Sequence, residues 1–264
     1  MKWSDEADRA IRKVPFFVRK KVRKKVEAFA EQKGKETVEL ADVKALKKKF
    51  LSRDGMESQI KGYDVSSCFG AGGCPNTACS ASRLVEKIEE TVKKEDLLSF
   101  LKSNVTGGLK FHHEFRIVVA ECPNACSRPQ IADIGIIGAA LPRAGDEPCT
   151  LCGSCVDACA EAAVSLDEDR ESPVIDPDKC LACGKCIREC PTGTLETAKN
   201  GFRVQLGGRL GRHPRLAMEI PGILSEDEVL DIVQKALRFY KRNSKNGRRF
   251  SHLLNSVEEA VHSD

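Results

Sequence analysis

Cys149, Cys152, Cys155 and Cys159 are separated by two, two and three residues, and Cys180, Cys183, Cys186 and Cys190, the last followed by Pro191, repeat that spacing. Three thiols so close along the chain converge on one side of a tight loop, and the fourth is carried onto a short helix. Such a set binds metal: three thiolates grip three corners of a cubane, while the fourth reaches a second one. This chemistry assigns Cys149, Cys152, Cys155 and Cys190 to one 4Fe4S cluster and Cys180, Cys183, Cys186 and Cys159 to another. A pair of zinc sites is the competing reading, because C-x2-C also suits tetrahedral zinc.

The doubled run resembles the two-cluster bacterial ferredoxins, departing at Ala160, where the second run has Pro191. With 13 cysteines in 264 residues, the chain shows neither a cleavable leader nor an apolar run of the ~18 residues a span needs. Thiols in such a chain are expected to stay reduced, which favours metal ligation over disulfides and a cytoplasmic location. The length allows about two domains, and 41% hydrophobic with 31% charged residues is the composition of a folded soluble protein. Five cysteines lie outside the run. Cys68 with Cys74, and Cys122 with Cys126, sit in loops containing Gly or Pro-Asn and can make a third set of four; buried core thiols are the alternative. Cys79 is then either a packed thiol on the first turn of a helix or a ligand in place of Cys74.

The first fifty residues hold 16 Lys and Arg against 8 Asp and Glu, a balance of +8 within a total of +4, so the other 214 sum to −4. This marks either a solvated face or a surface for an acidic partner. Ser4 is expected to cap a helix with Ala7, Ala10, Ile11 and Val14 on one face, ending near Pro15. Val18, Val22, Val26 and Phe29 predict a second helix stopped by Gly34, and Val43, Leu46 and Phe50 a third. Phe16, Phe17, Phe29 and Phe50 fall on the presumed core face, which leaves no stacking platform for nucleic acid.

Further on, Cys68 to Cys79 form a glycine-rich loop that follows no evident strand, and Ser80 or Ser82 opens a helix with Leu84, Val85, Ile88 and Val92 inward. Phe115 to Ala120, Ile134 to Ala139 and Phe202 to Leu206 predict buried strands, and Ser225 opens a helix through about Tyr240. The fold class is therefore α+β. Its expected divisions are a basic three-helix module (1–55), a mixed domain in two pieces (62–140 and 200–260), and an inserted ferredoxin-like domain (145–199).

Two resemblances add to this. The segment from Trp3 through Val14 and Arg19 to Gly34 is similar to a small C-terminal domain found in the light-independent protochlorophyllide reductases, which implies docking near a tetrapyrrole or redox partner. Cys68 and Cys74, followed by Cys122, Pro123, Asn124, Ala125 and Cys126, with the segment from Gly207 to Pro214, resemble the siroheme and 4Fe4S half-domain of sulfite and nitrite reductases, and the tail from Tyr240 to Phe250 is similar to that family's closing helix. That family implies that Cys126 bridges a cluster iron to siroheme, that Arg83, Arg128, Arg209, Arg212 and Arg215 meet the macrocycle's carboxylates, and that Arg116 with Lys110 lines an anion pocket. Its two substrate lysines align with Glu114 and Arg116, and a carboxylate there repels an oxyanion unless His112 or His113, adjacent and on opposite faces of a strand, neutralises it. Glu121 stands where the family has glycine and is expected to crowd the loop. The resemblance implies electrons passing from two ferredoxin clusters to a siroheme-coupled centre that reduces a small oxyanion. An electron-donor protein and self-association or a larger complex are the partners it implies. The alternative is a non-catalytic electron-transfer subunit without siroheme.

Overall fold

The computed structural model describes residues 1–14, 16–51 and 59–261, with side chains at all of these except 16, 17 and 49–51. Pro15 and the side chains of Phe16, Phe17 and Phe50, expected at helix ends and in the core, lie outside the described residues. The chain forms two compact units, residues 1–60 with 107–111, and residues 61–106 with 112–264.

In the first unit β1 (Lys2–Trp3) pairs in parallel with β2 (Thr37–Val38), beside helices α1 (Asp5–Arg12), α2 (Phe16–Glu31) and α3 (Leu40–Leu51). The Ser4 hydroxyl accepts the Ala7 N–H at 3.3 Å, and Asp5, Glu6 and Asp8 fill the first turn, where the helix dipole favours acids. Ala7, Val26, Ala30 and Val38 form a small core, with Trp3, Val22, Val43 and Leu46 packed on it. A buried charge lies beside it: Asp42 accepts from Lys35 Nζ at 3.0 Å and the Glu39 N–H at 3.1 Å. Burial alone pushes the Asp42 carboxyl up, yet Lys35 and the Glu39 N–H overcome it and hold it below the usual value.

The second unit is built on a five-stranded sheet. β3 (Tyr63–Ser67), β4 (Phe115–Ala120) and β5 (Ile134–Ala144) run parallel. Between β5 and the last strands lie a hairpin of β6 (Val164–Asp167) and β7 (Ser172–Ile175) and two short helices. β8 (Leu195–Leu206) then returns antiparallel to β5 along its whole length and carries β9 (Met218–Glu219) on its other edge. Residues 145–194 thus hang from the open end of one long ladder, Ala144 facing Leu195, where inserted chain disturbs no pairing. Helices α4 (Ser82–Lys94) and α5 (Leu97–Asn104) link β3 to β4. Here α6 (Ser154–Ala158) and α7 (Lys185–Arg188) are the two short helices; α8 (Glu226–Asn243), α9 (Phe250–Leu253) and α10 (Glu258–Val261) follow the sheet. Ile117, Val119, Ile134, Ile136, Phe202, Val204 and Leu206 are buried in the sheet, and Leu84, Ile88, Val92, Val229, Val233 and Leu237 are buried on α4 and α8.

Three expectations need correction. A strand does precede the glycine-rich loop: β3 is half-buried and partly polar at the sheet edge, so it shows no apolar run and is defined by pairing with β4. Of the two serines expected to open the next helix, Ser82 does so, as the first residue of α4 behind Ala81. Tyr240 to Phe250 is not one closing helix, because α8 stops at Asn243 and Asn246 and Gly247 take positive φ before α9. His112 and His113 lie in a 3-10 turn rather than a strand, with their rings 4.2 Å apart.

Candidate metal centres

The two halves of the cysteine run repeat at the level of backbone torsion. Leu151 and Ala182 have φ of 55° and 53°, Gly153 and Gly184 78° and 67°, and Ala162 and Gly193 49° and 74°. A left-handed L-residue costs about 1–2 kcal/mol, so Leu151, Ala182 and Ala162 hold strain that the loops need for their curl. The curl aims backbone N–H groups at sulfur: Leu151 N to Cys149 Sγ at 3.4 Å, Ala163 N to Cys159 Sγ at 3.3 Å and Leu195 N to Cys190 Sγ at 3.5 Å. The fourth cysteine of each run crosses to the other. Burial raises the Cys155 thiol, and the neighbouring thiols that add to this are Cys190 and Cys149. Burial likewise, then Cys183, Cys180 and Cys159, push Cys186 up to about 11. Thiols so crowded ionise with difficulty on their own, and a bound cationic metal core relieves both costs. All thirteen cysteines are unpaired by disulfides, and among the described residues no three Cys, His, Asp or Glu side chains converge on a ready-made single-ion site.

The other four thiols are assembled by sheet topology. β3 and β4 are parallel neighbours, so the chain leaves both at the same end: Cys68 follows Ser67, Cys122 follows Ala120 with Glu121 between them, and the Cys68 N–H bonds the Val119 carbonyl at 3.0 Å. The carboxyl ends of parallel strands are where such sheets place their ligands. Burial raises the Cys122 thiol, and Cys68, Cys74 and Cys126 add to the rise, so the four are electrostatic neighbours. The Gly70 and Glu121 N–H groups donate to Cys68 Sγ at 3.4 and 3.3 Å. Cys79 does not join them; burial, then Glu226 and Glu121, raise its thiol, which donates to the Ser80 carbonyl at 3.9 Å ahead of α4.

Glu121 does not crowd the loop. Only 4% exposed, it ties the loop down, its carboxylate accepting the Ala81 N–H at 2.9 Å and the Thr77 hydroxyl at 3.2 Å. Sequence reasoning missed this role, and also Asn200, whose Nδ2 donates to the Ala78 carbonyl at 3.0 Å and the Ala139 carbonyl at 3.2 Å. The only signals in the sequence were a lone acid between a strand and a cysteine, and an Asn in a strand. Through Asn200 the glycine-rich loop meets β5, and β5 meets the second cysteine run: the Ala140 N–H bonds the Ala182 carbonyl at 2.7 Å, beside Cys183.

The expected cations sort differently. Arg116 lies near the start of β4, paired with Asp64 at 3.6 Å, roughly 20 Å along the chain from Cys122 at ~3.3 Å per residue. Glu114 precedes it, raised by burial and accepting the Lys61 N–H at 2.8 Å; it stitches the strand starts rather than lining a pocket at the thiols. Lys110 belongs to the first unit. Arg209 and Arg215 are held by main-chain carbonyls: Arg209 Nε to His213 at 2.8 Å, Arg215 Nη2 to Gly207 at 3.0 Å and to Ser251 at 2.9 Å. Gly207 in turn bonds the Asp133 carbonyl, at the amino end of β5. Arg83 pairs with Glu226 at 3.3 Å, Arg128 sits at φ 64° just past Cys126, and Arg212 is exposed on the loop beyond Gly211.

Comparison with known proteins bears on this arrangement. The family described as nitrite and sulphite reductase 4Fe-4S domain matches residues 61–260, and the proto-chlorophyllide reductase 57 kD subunit family matches residues 3–47. The coenzyme F420-dependent sulfite reductase of Methanocaldococcus jannaschii is 27% identical over 84% of this chain and 37% of its own length. A subunit of the anaerobic sulfite reductase of Salmonella typhimurium is 29% identical over 69% of this chain and 50% of its own. The chain therefore spans half or less of these relatives. The crystal structure of dissimilatory sulfite reductase I superposes with a TM-score of 0.51 at 15% identity, covering 76% of this chain and 52% of that one, a likeness of fold.

Proposed function

Because this chain belongs to the nitrite and sulphite reductase 4Fe-4S domain family, we propose that it is an iron-sulfur redox protein that passes electrons from two ferredoxin-type 4Fe4S clusters to a siroheme-coupled 4Fe4S centre reducing a small oxyanion. Cys149, Cys152, Cys155 and Cys190 would hold one cluster, Cys180, Cys183, Cys186 and Cys159 the second, and Cys68, Cys74, Cys122 and Cys126 the third, with Cys126 the residue that would also serve siroheme. When bound, these groups supply one-electron steps and the multi-electron reduction itself. The residues do the rest. N–H donors at Cys68, Cys149, Cys159 and Cys190 stabilise thiolate charge. Arg209 and Arg215, whose N–H groups are held by main-chain carbonyls, brace the Gly207 to Pro214 segment that carries the exposed Arg212.

One observation carries the reading: the Cys183 loop is hydrogen-bonded to β5 at Ala140, and Gly138 of the same strand lies against the Glu121 and Cys79 carbonyls. The loop that carries Cys183 thus meets β5 two residues from the point where the chain beside Cys122 approaches that strand, which supports electron passage between the second-run set and the Cys68 to Cys126 set. An electron-donor protein engages the first-run end, where Cys152 is exposed. A second copy or a partner protein that completes the anion pocket is part of the same proposal. Among the described residues no helix is long and apolar enough to cross a membrane.

Anaerobic purification with iron analysis and acid-acetone extraction tests the proposal. About twelve cluster irons and one more in an extracted tetrapyrrole support it. The non-catalytic reading, an electron-transfer subunit without siroheme, is favoured by Arg116 being paired with Asp64 away from the thiols, and predicts cluster iron with no tetrapyrrole.

A further inference from the structure

Strand register brings Cys68 and Cys122 side by side, but nothing in the register fixes the stretch from Cys68 to Ala81 that also carries Cys74. One residue does so from several atoms. The Glu121 N–H reaches the Cys68 thiol at 3.3 Å, its carbonyl accepts the Ala78 and Cys79 N–H groups at 2.8 and 3.2 Å, and its carboxylate accepts from Ala81 at 2.9 Å and Thr77 at 3.2 Å. Chain on both sides of Cys74 is thereby held to the residue that precedes Cys122. Two glycines make room for it: a Cβ on Gly70 would collide with the Glu121 carboxylate, and one on Gly138 would meet the Glu121 carbonyl at 2.5 Å.

The two partners of its carboxyl group, an amide N–H and a hydroxyl, can also be met by the oxygen and the NH2 of a Gln side chain, and by no part of an Ala. We propose that Glu121 is the positioning residue of the Cys68, Cys74, Cys122 and Cys126 centre, fixing the two cysteine loops to each other. This rests on the reading that those four cysteines ligate a cluster.

The test uses the full chain purified anaerobically, as wild type, Glu121→Gln and Glu121→Ala, with iron per chain and the signal of each centre read by electron paramagnetic resonance. Glu121→Ala is expected to lose about a third of the cluster iron while the two ferredoxin-type signals persist. Glu121→Gln, which can keep both contacts, is expected to retain all of the iron and all three signals. Retention of the third centre in Glu121→Ala, or its loss in Glu121→Gln, overturns the inference. A wild-type chain without a third centre overturns the ligand assignment instead, so the two failures are told apart.

Discussion

The doubled cysteine run and the Cys68 to Cys126 set reach four thiols each by opposite routes. In the run, each loop carries its own geometry: three thiols within seven residues, matched left-handed positions at Leu151 and Ala182 and at Gly153 and Gly184, and only the fourth thiol borrowed from across the repeat. In the other set nothing local suffices. Two loops separated by some fifty residues meet because β3 and β4 are parallel neighbours, and Glu121 then locks them. Short-range sets tolerate changes elsewhere in the fold, whereas a set built by topology depends on the sheet.

Cysteine replacement should break the comparison most. Cys122→Ser is expected to remove about four irons per chain and any tetrapyrrole while leaving the ferredoxin-type signals, and Cys183→Ser the converse. Equal losses in both variants, read by iron assay and electron paramagnetic resonance, would merge the two sites. Next comes Gly138→Ala, whose Cβ meets main-chain carbonyls of Glu121 and Cys79 at 2.5 and 2.8 Å. Overpacking of this kind costs about 1–3 kcal/mol, and iron analysis should show the third centre lost first. The counterpart inside the run is Gly153→Ala, where the new Cβ finds open space but φ stays at 78°. Its cost of about 1 kcal/mol should lower the melting temperature of the chain slightly with all iron retained.

The first unit supplies a control that touches neither set. Asp42 is held below the usual aspartate value of 3.8, against its burial, by Lys35 and the Glu39 N–H. A depressed folded value means stability that is present above the unfolded value and lost as pH falls through the folded one. Melting of the first unit, followed by the fluorescence of Trp3, should therefore drop as pH is taken below about 4. Asp42→Asn should flatten that acid limb at a cost of about 1 kcal/mol near neutrality, and an unchanged limb would mean that another group governs it.

What the amino-acid order determined by itself is the chemistry that lives within a few residues: the spacing of the doubled run, Ser4 capping α1, Ser225 with Glu228 closing a capping box on α8, and the buried apolar runs of β4 and β5. Such features rest on contacts that close within one turn or along one strand. The tertiary structure alone decided the rest. β3, polar and half-buried, is a strand only because β4 lies beside it. Whether an arginine near a motif is free for an anion depended on remote groups, Asp64 for Arg116 and the Gly207 and Ser251 carbonyls for Arg215. Glu121, an unremarkable acid in the sequence, became the tie between two loops because burial made every one of its hydrogen bonds count.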